Sequence, residues 1–187
     1  MSESMNMNEV DVMISEEQLQ QRVKELGAQI TADYEGAVML LVVGVLRGSF
    51  IFMADLVRKI DKVPMQIDFI SAASYGAAST TSGQVRIEKD LSEPVEGRDV
   101  LIIEDIMDTG LTLNHVVNMI KSRGARSVKV CCLLDKPSRR KVAVELDYIG
   151  FSIPDEFVVG YGLDYNNQYR SYPAVCILKR EVYERDS

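Results

Sequence analysis

Residues 100–103, Val-Leu-Ile-Ile, form an apolar run with no polar residue among them, and the run ends on two adjacent acids, Glu104 and Asp105. A strand with one wet face would alternate. This run reads instead as a strand buried on both faces, as at the centre of a parallel sheet. Asp108-Thr109-Gly110-Leu111-Thr112 follows. Leu113, Val116, Val117 and Ile120 then recur at helical spacing until Gly124 supplies a stop. Buried strand, acidic turn and amphipathic helix in succession point to an α/β fold. In such sheets ligands collect outside the carboxyl ends of the strands, which is where this turn lies.

The chemistry of the turn follows from its residues. Gly110 lets backbone amides approach a ligand closely. Thr109 and Thr112 add hydroxyl donors, and the helix that starts here offers free amides and a dipole suited to phosphate. Glu104 and Asp105 would repel a phosphate in the same spot; they suit a sugar's hydroxyls or a divalent cation held through oxygen. Asp108 stands between the two regions and could take a proton. Phosphate, sugar diol and metal side by side suggest a ribose 5-phosphate carrying a magnesium-bound group. A lone Asp-Thr-Gly turn is more often a helix cap beside a solvated acid cluster. The full pattern from Val100 to Thr112 outweighs that reading.

This stretch resembles the phosphoribosyl-pyrophosphate motif of the type I phosphoribosyltransferases. With the residues discussed below, the chain from about residue 10 to 180 is similar to the bacterial hypoxanthine-guanine phosphoribosyltransferases. The resemblance implies an α/β fold, a twisted parallel sheet of about five strands with flanking helices and a small hood. It implies magnesium-dependent transfer of the 5-phosphoribosyl group from phosphoribosyl pyrophosphate to hypoxanthine and/or guanine. Within the motif, Asp108, Thr109, Gly110, Leu111 and Thr112 would hold the 5-phosphate. Glu104 and Asp105 would fix the ribose hydroxyls, directly or through magnesium, and Asp108 would assist removal of the purine proton.

Composition narrows the alternatives. The chain has 187 residues, 47% hydrophobic and 26% charged, which suits one soluble domain with a real core. A net charge of −7 argues against sequence-independent nucleic-acid binding, which needs a basic face. The first nine or so residues are polar and acidic and are expected to be disordered, with no basic and apolar leader. The longest apolar run, 37–46, is too short to span a bilayer. Three cysteines make no even disulfide framework; Cys131 and Cys132, adjacent in an expected strand, read as core thiols in a reducing cytoplasm. His115 is the only histidine, so a His-based triad or metal cluster has little to work with.

The rest of the chain can be taken in order. Ser15 to Gln18 carries a capping-box signature, and Leu19, Val23, Leu26 and Ile30 then make an amphipathic helix to about Asp33. Residues 38–45 read as a buried strand, and Met53, Leu56, Val57 and Ile60 as the next helix. Between them Leu46, Arg47 and Gly48 resemble the family's pyrophosphate loop, with Arg where other members carry Lys. Alone they would be a plain strand-to-helix turn. Residues 65–73 and 84–90 make a long hairpin. The resemblance places Ser74 and Tyr75 on a flexible loop that closes over the site, and closure excludes water. Strand 127–134 ends at Lys136, which the resemblance assigns to the purine's exocyclic oxygen; Arg139 reads as part of a solvated turn. The resemblance also sets Phe157 stacked on the purine, Val158 at the base edge through its backbone, Asp164 near magnesium and Arg170 near the pyrophosphate. Glu104, Asp105 and Asp164 are thus the expected metal ligands. Residues 174–178 return as a strand, and the termini with residues 147–170 should form the hood. Family members assemble as homodimers or homotetramers.

Three rivals remain at this stage. Another phosphoribosyltransferase, for adenine, xanthine or orotate, is disfavoured by Lys136 with Phe157-Val158. An RNA-binding regulator on the same fold is disfavoured by the acidic charge. A haloacid-dehalogenase-like acyl-phosphate enzyme needs Asp-x-Asp-x-Thr, whereas here the spacing is Asp105-x-x-Asp108-Thr109.

Overall fold

Helices separate the strands in the first part of the chain, strands follow one another directly in two later stretches, and together they form two sheets. The structure, a computed structural model, describes residues 8–75 and 84–184. In chain order the elements are β1 (Val10–Ile14), α1 (Glu16–Asp33), β2 (Leu40–Leu46), α2 (Phe50–Val57), β3 (Met65–Tyr75) and β4 (Gln84–Lys89). They continue with β5 (Asp99–Met107), α3 (Leu111–Ser122), β6 (Ser127–Asp135), a 3-10 turn (Pro137–Arg139), β7 (Tyr148–Ser152), β8 (Val158–Val159), β9 (Val175–Leu178) and α4 (Arg180–Tyr183). The larger sheet has the order β4-β3-β2-β5-β6-β7. Five of its strands are parallel, and β4 returns antiparallel against β3 at the edge.

Both faces of this sheet are covered. α1 starts on the expected capping box: the Gln18 amide donates to Ser15 Oγ (3.3 Å), and the Ser15 amide to Gln18 Oε1 (2.9 Å). Leu19, Val23, Leu26 and Ile30 of α1 pack with Phe52, Met53 and Leu56 of α2 on one face. Leu113, Val116, Val117 and Ile120 of α3 cover the other. Each such side chain stabilises the fold by roughly 1.5–3 kcal/mol when fully buried. The polar-free run in β5 now has its reason: Leu101 and Ile103 feed the α1/α2 layer, Val100 and Ile102 the α3 layer. Cys131 and Cys132 divide between the same two layers, as their adjacency in a strand requires.

The hood is a three-stranded antiparallel sheet, β1-β9-β8, over a cluster of Val10, Val159, Tyr172, Cys176 and Leu178. One expected boundary shifts. The sequence places residues 147–170 in the hood, but Tyr148–Ser152 pairs in parallel with β6 as the last strand of the main sheet. Its Tyr148 is buried in the α1/α2 layer, which fixes it there. β3 also runs past its expected end, so Ser74 and Tyr75 are strand residues paired with Val85 and Gln84. The remainder of the expected loop, residues 76–83, lies outside the described residues, as does most of the N-terminal segment. Among the described residues no helix is long and apolar enough to cross a membrane.

The order of connection positions the site. From β2 the chain moves to β3 on one side, then crosses back to β5 on the other. The topological switch point therefore lies between the carboxyl ends of β2 and β5, the place where open α/β sheets bind ligands.

Candidate active site

β5 delivers the acid pair to that crevice. Glu104 is buried, with 7% of its surface exposed, and Asp105 is partly buried. The Asp105 amide donates to Glu104 Oε1 (3.2 Å), and the Ile106 amide to Asp105 Oδ1 (2.8 Å). Burial, and after it the neighbouring Asp105, push the Glu104 carboxyl well above the usual carboxylate range. Burial also raises Asp105, against hydrogen bonds and the charge of Arg170, which favour ionisation. Two carboxyls held this close and this dry favour a partner that brings hydrogen-bond donors or positive charge.

The following turn is built for close approach. Gly110 has φ of +83° and caps α3 in the left-handed region; a Cβ there would also stand 2.5 Å from the Val142 carbonyl oxygen. The Thr109 carbonyl accepts the Lys141 and Val142 amides (3.0 and 3.1 Å), so residues 141–142 brace the turn from outside. Thr109 Oγ1 accepts the Leu111 amide at 3.4 Å, and Leu111 and Thr112 open the first turn of α3. The Asp108 carboxylate accepts Arg139 Nε at 3.2 Å, and its carbonyl accepts Arg140 Nε at 3.4 Å.

The loop after β2 meets this motif directly. The Leu46–Arg47 peptide is cis. Gly48 lies against Asp105, close enough that a Cβ on Gly48 would fall 1.5 Å from Asp105 Oδ2. Ser49, fully buried, donates to the Val45 carbonyl (2.6 Å) and ties the loop back to its strand. Arg47 reaches the hood loop, donating to Asn167 Oδ1 at 3.2 Å. Arg170 donates to the Gly162 carbonyl (2.7 Å) and pairs with Asp164 Oδ1 (2.7 Å), while the Asn167 amide donates to Asp164 Oδ2 (2.8 Å). Asp164 is thus engaged by Arg170 and Asn167. The expected metal set of Glu104, Asp105 and Asp164 is not assembled: among the described residues no group of three or more His, Cys, Asp or Glu is arranged to hold a metal.

Beside β5, β6 ends at Asp135 and Lys136 follows directly. Its amide donates to the Met107 carbonyl (3.0 Å), which locks it beside β5. Its ammonium is nearly buried, donates to the Glu156 carbonyl (2.7 Å) and stands 3.6 Å from Asp155 Oδ1. Phe157 comes next in that loop and keeps 41% of its surface exposed. Tyr183 stacks on it (centroids 5.1 Å apart, planes at 24°), and Tyr165 meets it edge-on (5.7 Å, 86°). Val158 is buried in β8 opposite Ile177.

Residues 14–166 match the phosphoribosyl transferase domain. The chain belongs to the phosphoribosyltransferase family. It is 51% identical over 173 residues to the hypoxanthine-guanine phosphoribosyltransferase of Bacillus subtilis, covering 92% of this chain and 95% of that one. It is 54% identical over 182 residues to the bifunctional protein TilS/HprT of Listeria innocua, a match that takes 97% of this chain but spans only 28% of that protein's length. The crystal structure of a hypoxanthine phosphoribosyltransferase from Staphylococcus aureus superposes with a TM-score of 0.91 at 47% identity, covering 98% of this chain and 99% of that one.

For a phosphoribosyltransferase site, three contacts here escape the sequence reading. Arg139, exposed as expected, also pairs with Asp108 and approaches Asp155 at 3.9 Å; the basic run 136–141 beside an acidic turn was its only signal. Asn167 links Arg47 to the Asp164 loop, and nothing in its neighbourhood of the sequence announces it. Tyr183 on Phe157 joins residues 26 positions apart, beyond any local pattern.

Proposed function

We propose that this phosphoribosyltransferase transfers the 5-phosphoribosyl group from phosphoribosyl pyrophosphate to hypoxanthine and/or guanine, giving IMP or GMP and pyrophosphate, in purine salvage. The observation that carries this reading is the placement of three chemistries at the carboxyl ends of adjacent strands: the Thr109–Thr112 turn leading into α3, the acid pair Glu104 and Asp105 on β5, and Lys136 after β6, bonded to the loop that carries Phe157. The relatives' names agree with it.

The residues take the following parts. Asp108 to Thr112 hold the 5-phosphate on the α3 amides and hydroxyls. Glu104 and Asp105 accept the ribose hydroxyls. Their all-oxygen, acidic character also fits magnesium, which would be held there or by Asp164 once Arg170 yields it. Magnesium, when bound, supplies positive charge to the departing pyrophosphate. Arg47, the backbone of Leu46 and Gly48, and Arg170 receive that pyrophosphate; both arginines already point their donors into one loop through Asn167. Lys136 has three N–H donors, of which the Glu156 carbonyl takes one, so others are available to a purine 6-oxygen. Phe157 stacks on the base and Val158 meets its edge. Asp108 accepts the purine ring proton, which requires exchanging its Arg139 contact for the ring N–H. Ser74 and Tyr75 would cap the site from the end of β3.

The proposed setting is the cytoplasm, which suits three buried free cysteines. The whole chain acts as one domain, with the hood drawn from both ends. It is proposed to assemble as a homodimer or homotetramer, which light scattering measures. A spectrophotometric assay with phosphoribosyl pyrophosphate, magnesium and a panel of bases tests the activity. Turnover of hypoxanthine or guanine is expected, and no turnover of any 6-oxopurine would overturn it.

A further inference from the structure

Resting on the reading that Phe157 stacks on the purine, we infer that Tyr183 of α4 is a positioning residue for that base: it backs the Phe157 ring from inside the hood and holds the ring's other face toward the crevice. The two neighbours of Phe157 divide between cores. Val158 belongs to the layer over the main sheet, with Ile14, Leu163 and Val175. Val159 belongs to the hood cluster of Val10, Tyr172, Cys176 and Leu178, and Tyr183 and Tyr165 pack against that same cluster. The face that Tyr183 covers, at 5.1 Å and 24°, therefore looks into the hood. The 41% of Phe157 still exposed is what remains for a ligand, and Lys136 reaches the carbonyl of the preceding residue, Glu156.

The backing matters because the ring's other aromatic neighbour, Tyr165, meets it only edge-on. Phe157 sits at the end of a loop, ahead of a two-residue strand, and its backbone is tied to β9 by the Leu178 amide at 2.8 Å. A half-exposed phenyl ring with nothing behind it samples more than one rotamer, and a ligand that stacks on it must order it first. A parallel aromatic neighbour removes that freedom beforehand. The expected gain is roughly 2- to 10-fold in affinity for the base.

The test is steady-state kinetics on the full chain with Tyr183→Ala, Tyr183→Phe and Phe157→Ala. KM is measured for hypoxanthine and for phosphoribosyl pyrophosphate separately, and Tm is read for each variant. Tyr183→Ala should raise the hypoxanthine KM about 2- to 10-fold and leave the phosphoribosyl pyrophosphate KM in place, and Tyr183→Phe should restore it. Should Tyr183→Ala fail to fold, Tyr183→Leu keeps the apolar bulk without the ring and should show the same split. An unchanged hypoxanthine KM in the tyrosine variant, beside a raised one in Phe157→Ala, sinks the inference and spares the purine site. Equal rises for both substrates would mark a merely structural role. A lowered hypoxanthine KM would mean that Tyr183 occupies the purine's own place, which also overturns it. No effect of Phe157→Ala on hypoxanthine would instead remove the stacking reading on which the inference stands.

Discussion

Asp108 accepts a contact from Arg139 and offers its carbonyl to Arg140, and these contacts shape what its removal should do. A positioned general base typically contributes roughly 10²–10⁴-fold in rate. Asp108→Asn keeps the turn's shape and its carbonyl contact with Arg140, so kcat should fall within that range while phosphoribosyl pyrophosphate binds nearly as before. An unchanged kcat would take Asp108 out of the mechanism. Lys136, proposed to face the purine 6-position, makes a different prediction. An ammonium offers only donors, so adenine's amino group would oppose donor to donor in a nearly buried place. Sites that hydrogen-bond their substrate reject such analogues by about 10⁴–10⁵-fold. Adenine turnover should be close to background in the wild type. Lys136→Ala should lower kcat/KM for the oxopurine and narrow the gap; full discrimination in that variant would contradict the assignment. At this scale the sequence was most informative where residues are contiguous, as in 104–112. It was silent where the partner is distant, as with Arg139 on Asp108 and Tyr183 on Phe157. Side-chain pairs across loops are set by the fold and leave no periodic trace.

Elements carry their own tests. Gly48 is pressed against the Asp105 carboxylate, so the β2 loop and the β5 turn form one joint. Gly48→Ala should force them apart and raise the KM for phosphoribosyl pyrophosphate far more than that for the purine, which steady-state kinetics reads directly. On β3, Asp68 is buried and accepts the amides of Phe69, Ser92 and Glu93 at 2.7, 2.7 and 2.9 Å, with Lys89 Nζ at 3.6 Å. Burial works to raise its pKa, but the amides and Lys89 outweigh it and hold the carboxyl below its usual range. Its stabilisation is therefore complete above the unfolded carboxyl range and is lost as pH falls through the folded pKa. Asp68→Ala should cost about 1–3 kcal/mol at pH 7, with amides left unpaired. Calorimetry should find the Tm gap from wild type closing on acidification; a constant gap would contradict this. Element types were largely legible, and edges less so. β2 was expected from residue 38, yet pairing starts at Leu40 and Val38 is 82% exposed. An apolar residue carries no mark of whether a neighbouring strand reaches it.

At the scale of the whole molecule, a sheet with two helical layers supports a hood that both ends of the chain build. The sheet was legible because its centre is a polar-free strand. The hood sheet was not, since β1 and β9 pair across more than 160 residues and β8 has only two. The metal question also belongs here. The proposed oxygen ligands suit a hard cation, which should arrive with the pyrophosphate. Enzyme stripped with EDTA should be inactive until magnesium returns, and equilibrium dialysis of magnesium against protein alone should find no tight stoichiometric site. Full activity after stripping would contradict the first expectation. One last feature has a use that has nothing to do with catalysis. The three cysteines fall one to each core: Cys131 under α1 and α2, Cys132 under α3, Cys176 in the hood. All are free and buried, and burial raises each thiol's pKa, so none reacts until its own layer opens. The unmodified chain thereby carries three internal clocks. The order in which an alkylating reagent labels them under native conditions would time the opening of the hood separately from that of each side of the sheet.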